Sequence, residues 1–179
     1  MTSDTAGHSS YAGPTANPAA MPALAIALVA AATLAGAWFF QLVLDIRPCP
    51  LCLEQRYAYY LAVPLGLVLA FAASRGAPRP VVLAGFAVLL LAALANAWLG
   101  GYHAGVEWKF WPGPTDCTGP VLDLGSAGTL LQQLDTVKVI RCDEVQWRFL
   151  GLSLAGYNVL ISMLMAVIAL WGIVSAKRT

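Results

Sequence analysis

Between Pro22 and Leu44 the chain runs for more than twenty residues without a charged side chain. A helix of that length, rising about 1.5 Å per residue, crosses a hydrocarbon core about 30 Å thick. Three further apolar segments follow, from about Pro50 to Ala73, from Pro80 to about Tyr102 and from about Phe149 to Ser175. Hydrophobic residues make up 59% of the chain and charged ones 11%, too apolar a balance for a soluble domain. The expected fold is therefore an all-α membrane protein, a four-transmembrane-helix bundle with spans at about 22–44, 50–73, 80–102 and 149–175. Loops over about 45–56 and 103–148 should share one side of the bilayer.

Residues 1–21, rich in Ser, Ala, Gly, Pro and Thr and free of Lys and Arg, read as a disordered tail. They lack the basic start of a secretory signal, and the apolar run behind them is too long for one. Trp38 near the outer end of the first span and Tyr57, Tyr59 and Tyr60 in the second suit the membrane interface, and Pro64 suggests a kink. Glu54 and Arg56 should lie near the membrane edge, because a charge at the bilayer centre costs about 2.5–3.5 kcal/mol on insertion scales. Ten basic against nine acidic residues give no reason to expect a nucleic-acid partner. The termini and the 74–79 turn carry four Lys or Arg and one acid, the other side six and eight. A bare count does not orient the bundle. Arg75, Arg79, Lys177 and Arg178, however, directly abut helix ends, which favours cytoplasmic termini and periplasmic cysteine loops.

Chemistry concentrates in Arg47-Pro48-Cys49-Pro50-Leu51-Cys52-Leu53-Glu54-Gln55-Arg56. Cys49 precedes a proline and is pushed out of the helical region. Pro50 suits the first helical position, where its missing N–H costs nothing. Cys49 then caps the second helix and Cys52 falls in its first turn, close enough to pair or exchange. The unpaired N–H groups and the dipole at such an end favour a thiolate. Arg56 lies four residues past Cys52 on the same face. This is a redox reading; a pair that only packs or binds metal is the alternative.

The long loop carries the other two cysteines. From Tyr102 to Cys117, through Trp111-Pro112-Gly113-Pro114, it is too rich in turn-formers for a regular element. Leu130, Leu131, Leu134 and Val137 recur at helical spacing beside Gln132, Gln133, Asp135 and Lys138, which suits a short amphipathic helix on the membrane surface or a patch covering the bundle. Cys117 and Cys142 are separated by twenty-four residues, so they form no CxxC site. If bonded, they would restrict the unfolded chain by about 3 kcal/mol, and a structural staple is a fair reading of that pair alone. Four cysteines raise zinc, but structural zinc sites come as two close pairs and only Cys49 and Cys52 are close, so no metal is expected. Asn96, Gly100 and His103 share one face of the third helix, a polar and close-packed one. Asn158 and Ser162 repeat the pattern on the fourth, more simply as helix-to-helix hydrogen bonds than as a site. His103 is either an interfacial polar residue or a proton carrier for a bound ligand.

Four spans, a CxxC opening the second helix with an arginine four residues on, and a widely spaced pair in one outer loop together resemble the disulfide bond formation protein B family, DsbB. The resemblance covers Pro22 to Ser175, and Tyr102-His103-Ala104-Gly105-Val106-Glu107 resembles a variant found in many bacteria. It implies an inner-membrane thiol:quinone oxidoreductase of the system in which DsbA, DsbB and quinone keep the bacterial periplasm oxidising. By resemblance, Cys49 and Cys52 pass electrons to a membrane quinone, ubiquinone or menaquinone. Cys117 and Cys142 would reoxidise a periplasmic DsbA-like thiol oxidase, and Cys117 would be the sulfur attacked by that partner. Arg56 matches the family's quinone-associated arginine, and His103 is assigned to the quinone site by position. A branch of the family serves a dedicated sulfotransferase, which leaves the identity of the thiol partner open. Two alternatives stand beside this reading. One is a vitamin K epoxide reductase-like quinone reductase, where the CxxC is expected late in the chain rather than at the second helix. The other is a structural or metal-binding bundle whose disulfides only staple the loops.

Overall fold

The computed structural model describes residues 18–114 and 141–178. Four helices carry the fold: α1 (Ala20–Leu42), α2 (Pro50–Ser74), α3 (Arg79–Glu107) and α4 (Leu154–Lys177). Each is long and apolar enough to cross a membrane, and together they make the expected four-helix bundle. α1 packs chiefly on α2 and α3 on α4, while the α2–α3 and α1–α4 seams are lighter.

The distribution of side-chain sizes explains the packing. Small residues line the inside, among them Ala23, Ala27, Ala30, Ala93, Ala166 and Ala169, all buried. Leu28, Phe71, Leu91, Trp98, Val167 and Trp171 face outward. Lipid tails are as apolar as these side chains, so helices associate by close approach, and close approach requires small residues at the contact. A Cβ on Gly66 would press on the Ala23 carbonyl and Ala27, and one on Gly172 would enter the Phe86 ring. A polar layer crosses the half of the bundle where α2 and α4 begin. Tyr59 donates its hydroxyl proton to Asn158 Oδ1 at 2.6 Å, and the Asn96 amide donates to Asn158 Oδ1 at 3.1 Å and Ser162 Oγ at 3.0 Å. Asn158 returns a hydrogen bond to the Asn96 carbonyl at 3.4 Å, so α2, α3 and α4 are tied at one level.

Two boundaries differ from the sequence-based expectation. α3 continues past Tyr102 to Glu107, so His103 to Glu107 are helical rather than the start of a loop. The reason is local. Trp111 folds back over Gly105, where a Cβ would collide with its ring, and donates its indole N–H to the Tyr102 carbonyl at 3.0 Å. The glycine there seats a tryptophan and leaves the helix intact. Lys109, at φ 63°, then ends the run. The fourth helix begins at Leu154 rather than near Phe149, because Arg148–Phe149 (β1) and Leu152–Ser153 (β2) form a short antiparallel hairpin. Leu150 (φ 49°) and Gly151 (φ 84°) make its two-residue turn, both left-handed as a type I′ turn requires. Ser153 Oγ then caps α4 by accepting from Gly156 N–H at 3.2 Å. Residues 1–17, the expected amphipathic helix around Leu130–Val137, and Cys117 lie outside the described residues.

Candidate functional site

The entry to α2 follows from its two prolines. Cys49 is extended (φ −75°, ψ 166°) and serves as N-cap, with Pro50 at the first helical position. Its sulfur accepts from Cys52 N–H at 3.3 Å and its thiol faces Cys52 Sγ at 2.9 Å. Both are free thiols. A disulfide brings sulfurs to about 2.03–2.05 Å, so less than an ångström of motion separates this pair from the bonded state. The hydrogen bond that Cys49 donates to Cys52, reinforced by burial, pushes the Cys49 thiol well above its ordinary value.

Cys49 is 2% exposed and packs in a small cluster with Leu51, Val106 and Cys142, the last 1% exposed. Cys142 is disulfide-bonded. The long loop thus returns one of its cysteines to the sulfur that opens α2. His103 of α3 lies beside both: Nε2 is 3.6 Å from Cys49 Sγ, and the ring also meets the backbone of Cys142. Gln55, one turn into α2, holds Nδ1 at 2.9 Å. Glu107, one turn further along α3, places Oε1 3.9 Å from His103 Nε2. Its Oε2 is buried and has no hydrogen-bond partner among the described residues, although Ser153 lies beside the carboxyl and the charge of Arg148 acts on it. Leaving such an atom unmet costs about 1–3 kcal/mol, which marks the position as serving something other than packing.

Arg56, in the second turn of α2, is buried to 8% exposure. It is tolerated because α1 solvates the guanidinium. Nη1 donates to Gln41 Oε1 at 2.7 Å and Nη2 to the Ala37 carbonyl at 3.4 Å, and the Trp38 ring covers the group at 5.4 Å. No carboxylate pairs with it among the described residues. A cavity of about 600 Å³ opens beside it between α1, α2 and α4. Cys49, Cys52, Gln55, Arg56, His103 and Glu107 line one end, and Val29, Ala32, Gly36 and Ile161 belong to its apolar walls. A large apolar pocket with a few convergent polar groups is the ordinary form of a small-molecule site.

The structure brings Cys49, Cys52, Arg56 and His103 to one cavity and packs Cys142 against it; Cys117 is not among the described residues. Sequence reasoning missed Gln55, Glu107 and Gln41. Glu107 was legible as the residue four positions after His103, once that stretch is taken as helix. Gln41 had only a faint signal, a lone amide closing an uncharged run.

A helical bundle in a membrane, with a free thiol pair at one helix start, a bonded cysteine packed against it and an apolar pocket alongside, defines a thiol–disulfide protein of the bilayer. The model of the family described as disulfide bond formation protein DsbB matches residues 19–172, and the chain belongs to that family. A protein named Disulfide bond formation protein B from Azoarcus sp. (strain BH72) is 32% identical over 157 residues, 83% of this chain and 88% of the relative. Its namesake from Aromatoleum aromaticum is 32% identical over 163 residues, 87% of this chain and 92% of the other. A third, from Polaromonas sp. (strain JS666 / ATCC BAA-500), is 28% identical over 156 residues, 84% and 90% of the two chains. The chain is accordingly a multi-pass bacterial membrane protein of the disulfide bond formation family.

Proposed function

We propose that this chain is a thiol:quinone oxidoreductase that reoxidises a periplasmic DsbA-like dithiol oxidase and delivers its electrons to a membrane quinone, ubiquinone or menaquinone. The observation that carries this reading is one arrangement. A free thiol pair and a buried arginine with no carboxylate partner among the described residues share an apolar cavity, and Cys142 packs against the outermost thiol. In this reading the termini are cytoplasmic and the cysteine loops periplasmic.

The cavity suits a quinone. Its volume of about 600 Å³ is in the range for a ring and part of a tail, and its walls are apolar. A bound quinone supplies a sink for two electrons and two protons. The protein's own residues do the rest. A thiolate of the soluble partner attacks the loop disulfide at Cys117, forming a mixed disulfide and releasing Cys142. The partner's second thiol then resolves it, which oxidises the partner and leaves both loop thiols reduced. Cys142 next attacks Cys49 of the oxidised helix pair, and Cys117 closes the loop disulfide again. Cys49 and Cys52 are thereby reduced, the state in which they stand 2.9 Å apart. When that pair reoxidises, two electrons leave through the sulfurs at the cavity and two protons leave with them, so the exchange balances. Arg56 offers its charge to the oxygen that gains electron density, and Gln41 with Trp38 holds the guanidinium in place for it. His103, within reach of Cys49 Sγ on one side and Glu107 on the other, moves the thiol proton.

The test is absorbance of added quinone while purified protein is incubated with a reduced thioredoxin-like oxidase. Cys49→Ser and Cys52→Ser should each reduce quinone consumption to background, while a disulfide-linked complex with the partner still forms through Cys117. Quinone reduction at the native rate in Cys49→Ser would sink the assignment.

A further inference from the structure

We infer that the reduced Cys49–Cys52 pair, completed by His103 and Glu107, forms a capture site for a soft divalent cation, zinc or cadmium, that locks the pair in the reduced state. This rests on the geometry of three side chains, with Glu107 beside the third, and not on the quinone reading. Two cysteines alone make a poor zinc site, and from the sequence no metal is expected. The third helix changes the donor set: the sulfurs of Cys49 and Cys52 and the ring nitrogen of His103 lie within 4.8 Å of one another.

The spacing is close to what a tetrahedral ion imposes. With bonds of about 2.3 Å to sulfur and about 2.0–2.1 Å to nitrogen, such an ion sets an S···N edge of about 3.5 Å and an S···S edge of about 3.8 Å. Cys49 Sγ and His103 Nε2 are already 3.6 Å apart. The sulfurs, at 2.9 Å, must separate by about an ångström, within reach of a rotation of the half-buried Cys52. Glu107 stands outside that group and must turn towards the sulfurs to supply the fourth donor. Its Oε1 is 3.9 Å from His103 Nε2, and its Oε2 is buried with no hydrogen-bond partner among the described residues. Gln55 provides the support that a ligating histidine needs. With its amide oxygen turned to the ring it accepts from Nδ1–H at the same 2.9 Å, and Nε2 then presents its lone pair to the cavity.

The charges close as well. Binding displaces one proton from each thiol, so two thiolates and a carboxylate face a dication. The net charge of minus one lies in the same cavity as Arg56. No electron moves in this step, and both sulfur lone pairs needed for exchange are taken up by the metal. Oxidised protein, with the sulfurs joined, offers only imidazole and carboxylate and should not hold the ion. The site therefore senses redox state and metal together, as a brake that acts when soft cations are abundant and the acceptor is scarce.

The experiment uses full-length chain carrying Cys117→Ser and Cys142→Ser, so that the helix pair is its sole dithiol, reduced with a phosphine in detergent and titrated with Cd²⁺ or Co²⁺ alone. The expected result is one equivalent of metal per chain, sulfur-to-metal charge-transfer absorption, and release of two protons. Protein oxidised beforehand should show none of these. His103→Ala should weaken binding about tenfold or more, and in the unmutated histidine background the cadmium NMR shift should report two sulfur donors with nitrogen and oxygen. Binding that survives oxidation, or an affinity and donor set indifferent to His103, overturns the site. Metal binding without quinone reduction would end the quinone reading and leave this one standing; quinone reduction without metal binding would do the reverse.

Discussion

The bundle holds two clusters of buried polar side chains, and they are finished to different degrees. Along one wall of the cavity, Tyr59 and Asn158 bond to each other and to Asn96 and Ser162 across three helices. At the end where α2 starts, Glu107 Oε2 has no partner among the described residues, Arg56 leans on an amide and a carbonyl instead of a carboxylate, and two thiols stand free. In a low-dielectric interior, unmet polar groups are costly and closed networks are rigid. The first cluster therefore reads as a clasp. The second keeps unused bonding capacity for whatever enters the cavity beside it.

Substitutions in the two clusters should separate these roles. The largest effect is expected for Arg56→Ala, which removes a charge-assisted contact worth about 1.5–3 kcal/mol and so raises the KM for quinone about ten- to a hundredfold. Free-thiol content and the helix pair's reactivity towards a thiol reagent should be unchanged. An unaltered KM would take Arg56 out of the site. Asn158→Ala should behave in the opposite way. It strips Tyr59 and Asn96 of their shared acceptor and should destabilise the bundle by about 0.6–2 kcal/mol, read as a lower midpoint in detergent unfolding. Asn158 borders the cavity but spends its bonds on its neighbours, so KM for quinone should move much less than in Arg56→Ala. A KM shift as large as that of Arg56→Ala would mean that this layer holds the quinone as well as the bundle.

The bundle was legible because hydrophobic length is a one-dimensional property: an uncharged run such as Pro22–Leu44 has few folds open to it in a membrane. The Cys49 cap was legible for the same reason, since two prolines act on their immediate neighbours. What the sequence hid was set by distant partners. The span from His103 to Glu107 looked like loop because Gly105 is a turn-former in isolation, whereas in three dimensions it seats Trp111 and lets the helix run on. That single boundary decides whether Glu107 points into the cavity. The burial of the Arg56 guanidinium inside the bundle was equally hidden. The offsetting donors come from α1, fifteen and nineteen residues earlier, where Gln41 and an Ala37 carbonyl carried no signal of their role. The return of Cys142 to Cys49 likewise belongs to tertiary packing, and spacing along the chain gave no hint of it.

The smallest effect concerns how that return is held. Next to Cys142, Asp143 accepts from Lys109 Nζ at 2.6 Å and from Arg141 Nη2 at 2.8 Å, joining the end of α3 to the segment that carries the cysteine. The Lys109 ammonium first, and the Arg141 guanidinium beside it, hold the Asp143 carboxyl down from its ordinary 3.8 to about 2. A carboxyl whose folded value is depressed stabilises the fold at every pH above its unfolded value and loses that contribution as pH falls through the folded one. The tie should therefore be constant from neutral pH to about 5, weaken between about 4 and 2, and be gone below that. Asp143→Asn removes it at every pH. The unfolding midpoints of wild type and variant should differ slightly at pH 7 and converge as the pH approaches 2. The pair is solvent-screened, so the difference should shrink in high salt, unlike that of the buried Asn158 clasp. Curves that stay parallel down to pH 2 would show that the anchoring of Cys142 owes nothing to this charge, leaving its burial against Cys49, Leu51 and Val106 as the whole of the attachment.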